Sequence, residues 1–464
     1  MSRAGARLFG TDGIRGPAGE GPLASEAVLA LGRATAAALR ADRPAGARPP
    51  RVLLGRDTRG SGPMVAGALA AGLGAGGAAV EDGGILSTPA VALLVPRGRF
   101  DLGVSVSASH NPPPDSGLKF LGPDGEKVDD AWEREVERRL SAARRGAGRG
   151  DPPPAPGRLR PEAHGEYVEA VVAEFRGLSL KRLRVVVDAA EGAASAAAPE
   201  ILRRLGATVT ALHASGNGAR INEGCGALHP ASAGRAVRRA RAHLGLALDG
   251  DADRLTLLDA DGRPRDGDDV LAALAPRIRA RGRLPGNAVV GTVMSNGGLD
   301  GHLRANGVDL VRTPVGDRHV AAALRERGLA LGAEPSGHIL LDRGGLLTSD
   351  GVVSALLVMR EMVRGRRSLS DLLRGFDRIP RAEAAVPVAR KPALERVPAV
   401  QKALRAAREA VGPAGRLLVR YSGTEPKVRI LVEGPVRAVV DRTCADLVRI
   451  LGASLGGRKP RSGR

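Results

Sequence analysis

The stretch ASAGRAVRRARAHLGLALDGDADR, residues 231–254, contains the pattern on which the predicted fold rests. The alanine- and arginine-rich part, 231–243, is typical of a helix, and the apolar run 244–248 is typical of a buried strand. The strand ends directly in a polar loop, 249–254. Helix, strand and polar loop in this order are the repeating unit of an α/β sheet.

The same alternation continues on both sides of this stretch. Strands are predicted over 51–55, 78–81, 102–106, 183–188, 207–212, 288–292 and 308–312, and helices over 64–74, 193–205, 269–280 and 317–328. We expect parallel strands with helices on the faces of each sheet. From residue 382 the order changes to strand, helix, strand, strand, helix, which predicts a smaller α+β domain.

Length and cysteine content limit the class of protein. A chain of 464 residues is too long for one hydrophobic core, so we expect three or four domains. The only cysteines are Cys225 and Cys444, which exclude a disulfide framework and favour a reducing compartment. The sequence shows no apolar leader and no run of about 18 apolar residues. We therefore expect a cytoplasmic protein with no membrane partner.

The net charge of +20 favours an anionic partner, either nucleic acid or a phosphorylated metabolite. The basic residues are scattered along the chain, and aromatic residues, at 2%, are too few to serve as stacking platforms for bases. We therefore interpret the charge as an arginine-rich surface and expect no specific nucleic acid. Nucleic-acid binding is the alternative from another functional class.

The acid loop, residues 249–254, is the candidate metal site. Asp249, Asp251 and Asp253 stand at alternate positions directly after a strand, where three carboxylates can meet on one hard cation. An EF-hand is excluded, because its sixth and twelfth positions require Gly and Glu and hold Arg254 and Ala260 here.

Three more loops carry candidate chemistry. The serine loop, 107–112 (SASHNP), contains Ser109 as a possible covalent nucleophile and His110 beside it. The sugar loop, 334–338 (EPSGH), combines a carboxylate, a hydroxyl and an imidazole that suit sugar hydroxyls. The phosphate loop, 420–429 (RYSGTEPKVR), can surround a phosphate with backbone donors and guanidinium groups.

Together with residues 7–16 (RLFGTDGIRG), these four loops resemble the α-D-phosphohexomutase superfamily, in its order and over nearly the whole chain. The resemblance implies three similar mixed-sheet α/β domains and a smaller C-terminal α+β domain around a central cleft. We predict their limits at 1–158, 159–258, 259–376 and 377–455, followed by a disordered basic tail, 456–464.

The resemblance also implies a role for each site residue. Ser109 would carry the phosphoryl group and bind one Mg²⁺ per active site together with Asp249, Asp251 and Asp253, supported by Arg254. His110, Lys119 and Arg15 are the candidates for proton transfer, and the choice between His110 and Lys119 as general base stays open. The substrate-binding residues would be Glu334, Ser336, His338, Arg420, Ser422, Gly423, Thr424 and Arg429.

The implied reaction is that of a phosphosugar mutase with a sugar bisphosphate intermediate, primed by a sugar bisphosphate or by a kinase. Residues 9–15, 222–226 and 313–318 are more similar to the branch that acts on glucosamine 6-phosphate than to the branch that acts on glucose and mannose phosphates. Ala227, Ala231 and Pro335 depart from the usual pattern of the superfamily. The branch that acts on glucose and mannose phosphates therefore stays as the alternative. The oligomeric state, monomer or dimer, stays open.

Overall fold

The computed structural model describes residues 7–10, 12–41, 43–44, 46–145, 157–422 and 426–456. These residues fall into two compact units, the first within 1–294 and 307–374 and the second within 295–306 and 375–464. The stretch 146–156 is rich in glycine, proline and arginine, which predicts a linker or a loose loop. This stretch and the predicted tail after Gly456 lie outside the described residues. Across the described part of the chain, no helix is both long and apolar enough to cross a membrane.

The first sheet belongs to the N-terminal part of the larger unit. Its strands are β1 (Ile14–Pro17), β2 (Arg51–Arg56), β3 (Ala79–Ile85), β4 (Leu102–Val106), β5 (Asp115–Leu121) and β6 (Arg158–Leu159), in the order β1-β5-β4-β2-β3-β6. The helices of this segment are α1 (Ser25–Arg40), α2 (Gly62–Ala75), α3 (Thr88–Arg97) and α4 (Asp130–Arg145).

The next two segments each contribute another sheet. The second contains α5 (Ala163–Glu174), β7 (Arg184–Asp188), α6 (Ala197–Arg204), β8 (Thr208–Leu212), α7 (Ala231–Arg239), β9 (Leu244–Leu248), β10 (Leu255–Leu258) and β11 (Pro264–Arg265), with the sheet order β11-β10-β9-β7-β8. The third contains α8 (Gly267–Ala280), β12 (Ala288–Thr292), α9 (Gly297–Ala305), β13 (Asp309–Thr313), α10 (Asp317–Arg327), β14 (Leu331–Ala333), β15 (Ile339–Asp342), β16 (Leu347–Ser349), α11 (Gly351–Gly365) and α12 (Leu369–Leu372), with the order β13-β12-β14-β15-β16.

The three sheets share one arrangement. Each contains three parallel strands, and the one that comes first in the chain lies in the middle: β3-β2-β4, β8-β7-β9 and β13-β12-β14. An antiparallel strand, β5, β10 or β15, pairs with the last strand of each set. Three similar mixed-sheet segments are thereby confirmed. The alternation of strand and helix indicates only the parallel strands. The antiparallel strand follows from the short loop 249–254, which can only join antiparallel neighbours, whereas a parallel connection needs a crossover of about a dozen residues or more.

The second unit is the smaller α+β body that the sequence predicts. Its elements after residue 375 are β17 (Arg381–Pro387), α13 (Pro398–Val411), β18 (Arg416–Tyr421), β19 (Lys427–Glu433) and α14 (Arg437–Leu455), and the antiparallel sheet runs β17-β19-β18. Helix α9 packs in this unit, where Asn296 Nδ2 donates to the carbonyl of Ile379 at 3.1 Å. The predicted domain limits stay predictions.

Some elements escape the sequence pattern. The apolar pattern predicts no strand at β5, because Asp115, Ser116 and Lys119 interrupt its apolar residues, yet Ser116 and Lys119 are buried. Helix α3 contains Pro89 and Pro96. Proline in the first helical turn is harmless, because the amide there needs no helical partner.

The cores are built mainly from alanine, valine and leucine, as the composition predicts. In the first segment, three of the few aromatic residues pack together. The ring centroids of Phe9 and Phe120 are 5.6 Å apart, and those of Phe120 and Trp132 are 5.5 Å apart. This packing fixes β5 against the N-terminal segment and helix α4, and β5 carries Lys119.

Candidate active site

The three carboxylates of the acid loop converge between β9 and β10. Asp249, Asp251 and Asp253 each place an oxygen within 4.8 Å of the others, and all three side chains are buried. Ala252 has a φ of 59°, an uncommon left-handed conformation that turns the chain between the second and third carboxylates. The acid loop therefore forms one compact group of oxygen atoms.

This group has the chemistry of a site for a hard cation. Burial, together with the charges of Asp253 and Asp251, raises the pKa of Asp249 well above its usual range. The buried Oδ1 atoms of Asp251 and Asp253 accept no hydrogen bond from any described residue. Buried carboxylate oxygens are costly unless a donor or cation meets them. The acid loop could therefore bind a metal with oxygen ligands.

Lys119 supplies positive charge on one side of the acid loop. Its Nζ donates to Oδ2 of both Asp251 and Asp253 at 2.6 Å, from a side chain that is 1% exposed. Burial lowers the pKa of Lys119, but Asp12, Asp251 and Asp253 outweigh it and raise that pKa well above its usual value. The same ammonium helps to hold the pKa of Asp253 below its usual range, against the opposing effect of burial.

Ser109 lies in the serine loop that follows β4. Its Oγ donates to Asp249 Oδ2 at 2.7 Å, and the side chain is fully buried. Its φ of 52° is left-handed, a backbone strain that is often found at functional sites. The serine loop thus brings a hydroxyl group directly onto the carboxylate group of the acid loop.

His110 follows Ser109 and faces the same hydroxyl. Its Nδ1 lies 3.3 Å from Ser109 Oγ. Burial, followed by the charges of Arg254 and Arg15, lowers the pKa of His110 to about 4. The imidazole is therefore neutral near pH 7 and able to accept a proton.

The serine loop is held by a buried guanidinium group that the sequence reasoning missed. Arg59, 1% exposed, donates from Nη2 to the carbonyl of Ser109 at 3.1 Å and to that of Asn111 at 2.7 Å. Its Nε donates to Asp57 Oδ2 at 2.9 Å. Ser107 Oγ donates to the same oxygen at 2.6 Å and accepts from the Ser109 amide at 2.9 Å.

A second contact joins the serine loop to the segment that carries the acid loop. Asn222 Nδ2 donates to the carbonyls of Ser109 at 2.8 Å and Asn111 at 3.0 Å. Gly250 approaches the serine loop so closely that an added Cβ would lie 2.6 Å from the Ser109 carbonyl oxygen. Only glycine fits at this position of the acid loop without a shift of the backbone.

A cavity of about 770 Å³ lies beside His110. The predicted site residues that line it are Arg15, His110, Arg254, Glu334, Ser336 and His338. Arg254 Nε donates to His338 Nε2 at 3.1 Å, and Glu334 Oε1 accepts from the Gly316 amide at 2.9 Å. The structure therefore brings the acid, serine and sugar loops to one place in the larger unit.

Comparison with known proteins agrees with this arrangement. The four domain models of phosphoglucomutase/phosphomannomutase match residues 6–146 (α/β/α domain I), 165–262 (domain II), 266–379 (domain III) and 383–450 (C-terminal domain). The chain is 43% identical to the phosphoglucosamine mutase of Symbiobacterium thermophilum, over 97% of this chain and 99% of that protein. The chain belongs to the phosphoglucosamine mutase family of the α-D-phosphohexomutases.

A second phosphoglucosamine mutase and a solved structure of the wider superfamily agree with this assignment. The phosphoglucosamine mutase of Rhodospirillum centenum is 45% identical, over 97% of this chain and 95% of that protein. The crystal structure of a phosphoglucomutase/phosphomannomutase family protein from Burkholderia thailandensis superposes with a TM-score of 0.78 at 27% identity and covers 98% of each chain. The family resemblance expected from the sequence motifs is thereby confirmed.

The phosphate loop of this phosphohexomutase belongs to the second unit. Arg420 is the next-to-last residue of β18, and it lies directly opposite Arg429 in β19. Ser422 follows β18, and its carbonyl accepts from Lys391 Nζ at 2.7 Å. The predicted ligands Gly423 and Thr424 lie outside the described residues.

Asp12 is another residue that the sequence reasoning did not select. It accepts hydrogen bonds from Arg15 and Lys127, and its Oδ2 lies 3.4 Å from Lys119 Nζ. Burial opposes its ionisation, but Lys119, Lys127 and Arg15 hold the pKa of Asp12 well below its usual range. The signal was present in the sequence, because Asp12 stands within the motif 7–16 that carries the family resemblance.

Proposed function

We propose that the protein interconverts glucosamine 6-phosphate and glucosamine 1-phosphate through a phosphorylated Ser109 and a sugar bisphosphate. The observation that carries the proposal is the 2.7 Å hydrogen bond from Ser109 Oγ to Asp249 Oδ2. It puts a hydroxyl group that can hold a phosphoryl group within reach of a cation bound by three carboxylates. The close phosphoglucosamine mutase relatives support the choice of sugar.

The cation in this proposal is one Mg²⁺, held by Asp249, Asp251, Asp253 and an oxygen of phosphorylated Ser109. When bound, it offsets the negative charge on the transferring phosphoryl group. Lys119 keeps its positive charge beside Asp251 and Asp253, and so neutralises part of the buried carboxylate charge at all times. A phosphoryl group on Ser109 adds about −1.5 to −2 charge, which makes this compensation necessary.

We assign the proton transfer to His110. When a sugar hydroxyl attacks the phosphorus, a new sugar O–P bond forms, the bond from phosphorus to Ser109 Oγ breaks, and the hydroxyl proton must move. The neutral ring of His110 can take that proton and return it to Ser109 Oγ, 3.3 Å from its Nδ1. Lys119 is already protonated, so its ammonium suits charge compensation better than proton acceptance.

The remaining predicted residues bind the sugar phosphate. Arg15, Arg254, Glu334, Ser336 and His338 line the cavity beside His110 and are suited to the sugar ring and its substituents. We assign the phosphate that is not being transferred to the phosphate loop, through Arg420, Ser422, Gly423, Thr424 and Arg429. The bisphosphate then turns over, and its other phosphate returns to Ser109. A sugar bisphosphate or a kinase supplies the first phosphoryl group.

The test of the substrate compares kcat/KM for glucosamine 6-phosphate, glucose 6-phosphate and mannose 6-phosphate, with Mg²⁺ and a priming sugar bisphosphate. We expect glucosamine 6-phosphate to be preferred by at least about tenfold, because a site that pairs with a polar substituent rejects analogues that leave it unpaired. A preference for glucose or mannose phosphate would place the chain in the sister branch and point to Ala227 and Pro335 as the determinants.

A further inference from the structure

A second group of potential metal ligands lies in the same sheet as the acid loop. Asp188 ends β7, His213 follows β8, and Cys225 lies in the loop before α7. One ligand atom of each lies within 4.8 Å of the other two. The proposed mutase reaction uses none of these three side chains.

The backbone holds two of the three ligands in place. Asp188 is fully buried, and its two carboxylate oxygens accept hydrogen bonds at 3.0 Å, one from the Ala190 amide and the other from the Gly226 amide. Cys225 is 2% exposed. Its neighbour Gly226 has a φ of 73°, and an added Cβ there would lie 2.4 Å from the Leu248 carbonyl oxygen. The turn that directs Cys225 towards Asp188 therefore requires glycine.

The position of His213 relative to Asp188 is that of two ligands of one metal ion. Its Nδ1 lies 3.0 Å from Asp188 Oδ1, yet this buried atom makes no hydrogen bond to any described residue. The two atoms are close, but they are not aligned as a donor and an acceptor. Two ligands of one tetrahedral ion with bonds of about 2.0–2.1 Å lie roughly 3.3 Å apart, which is close to the distance seen here.

We propose that Asp188, His213 and Cys225 bind a divalent transition metal of the Zn²⁺ type. A thiolate, an imidazole and a carboxylate are the three ligand types that Zn²⁺ takes in proteins. Mg²⁺ and Ca²⁺ select oxygen ligands and would not use the thiol. The donor atoms therefore distinguish this site from the all-carboxylate group of the acid loop.

Metal binding would convert the Cys225 thiol, which is otherwise unreactive, into a thiolate. Burial, followed by the charges of Asp188 and Glu191, raises the pKa of the Cys225 thiol to about 12. A thiol of this kind stays protonated at neutral pH and is a poor nucleophile. Metal binding displaces the thiol proton, so one proton is released to solvent for each ion bound through sulfur.

The position of the site connects it to the serine loop. Asn222, which donates to the carbonyls of Ser109 and Asn111, stands three residues before Cys225. An ion bound to Asp188, His213 and Cys225 would join the ends of two strands to the loop that carries Asn222. We expect occupancy to raise the melting temperature, because a ligand that binds only the folded chain stabilises it.

The experiment titrates the metal-free full chain with Co²⁺, a spectroscopic substitute for Zn²⁺, and follows the near-ultraviolet charge-transfer band of a thiolate bound to cobalt. An all-oxygen site does not give this band, so Co²⁺ in the acid loop does not interfere. Cys444→Ser is the matched control, because it removes the other buried cysteine. His213→Asn tests the imidazole ligand, and asparagine tolerates the φ of 44° at this position.

The wild-type chain and Cys444→Ser should both show the band, and Cys225→Ser should lose it. His213→Asn should raise the dissociation constant for Co²⁺ by at least about tenfold. Substitutions of residues that only support a metal ligand already weaken metal affinity by about this factor. Zn²⁺ should raise the melting temperature of the wild-type chain by more than that of Cys225→Ser, in which only the acid loop is left to bind it. Absence of the band from the wild-type chain, or its persistence in Cys225→Ser, would overturn the proposal, whatever the outcome for mutase activity.

Discussion

The serine loop and the acid loop meet at Ser109 and Asp249, but different interactions hold them. Hydrogen bonds from Arg59 and Asn222 to main-chain carbonyl groups shape the serine loop. The acid loop instead gathers three buried carboxylates, and Lys119 neutralises only part of their charge. The first loop is therefore complete in the protein alone, whereas the second has oxygen atoms left for a cation.

This difference separates two kinds of variant. A change in the support of the serine loop should alter the position of Ser109 and leave intact the Mg²⁺ affinity of the unphosphorylated chain, which depends on the three carboxylates. A change in the acid loop should alter metal affinity directly. Three substitutions, taken from the largest expected effect to the smallest, test this division.

Ser109→Ala should lower kcat by roughly 10³-fold or more, because the phosphoryl group then has no acceptor on the enzyme. The steady-state mutase rate with glucosamine 6-phosphate measures this. Ser107→Ala is the matched control, since it changes a neighbouring serine that only orients the loop, and it should retain much more activity. An equal loss of kcat in the two variants would contradict the assignment of Ser109 as the phosphoryl carrier.

Asp251→Asn should lower kcat/KM by about 10²-fold, because a ligand of the charge-compensating cation is lost. Mg²⁺ should raise the melting temperature of the wild-type chain and have little effect on this variant. Asp259→Asn is the control, because Asp259 is a buried carboxylate of the same segment, paired with Arg265 away from the acid loop. An unchanged response to Mg²⁺ in Asp251→Asn would contradict the assignment of the metal site.

Arg59→Met should lower kcat about tenfold, because Ser109 loses its alignment. It should leave unchanged the rise in melting temperature that Mg²⁺ gives to the unphosphorylated chain. It should also cost about 3–5 kcal/mol of unfolding free energy, since Asp57 becomes a buried carboxylate without its partner. Arg265→Met breaks an ion pair with Asp259 in the second segment and should cost stability with little loss of kcat. Loss of the Mg²⁺-induced rise in melting temperature in unphosphorylated Arg59→Met would show that the two loops are not supported separately.

The acid loop could be predicted from the sequence because its ligands are close together in the chain. Asp249, Asp251 and Asp253 follow one strand, and alternate spacing along a short loop is enough to bring them together. The same holds for Ser109 and His110, which are neighbours. In both cases local sequence determines the geometry, and the family resemblance adds the reaction.

The support of the serine loop could not be predicted in the same way. Asp57 and Arg59 follow β2, which becomes the neighbour of β4 only in the folded sheet, and Asn222 comes from another segment. Lys119 is a candidate through the family resemblance, but its strand β5 was not predicted, because polar residues interrupt the apolar pattern there. These contacts depend on the order of strands, which the local sequence does not specify. Polar residues directly after β2 were the available signal.

The proposed reaction depends on Ser109 as the carrier of the phosphoryl group. The most direct test incubates the full chain with a sugar bisphosphate and Mg²⁺, measures the intact mass, and locates the modification by peptide mass spectrometry. We expect one added phosphoryl group, on Ser109. If that group carries an isotopic label, excess unlabelled glucosamine 6-phosphate should move the label into the sugar phosphates while Ser109 stays phosphorylated. A chain that turns over substrate with no phosphoryl group on Ser109, or with it on another residue, would contradict the account.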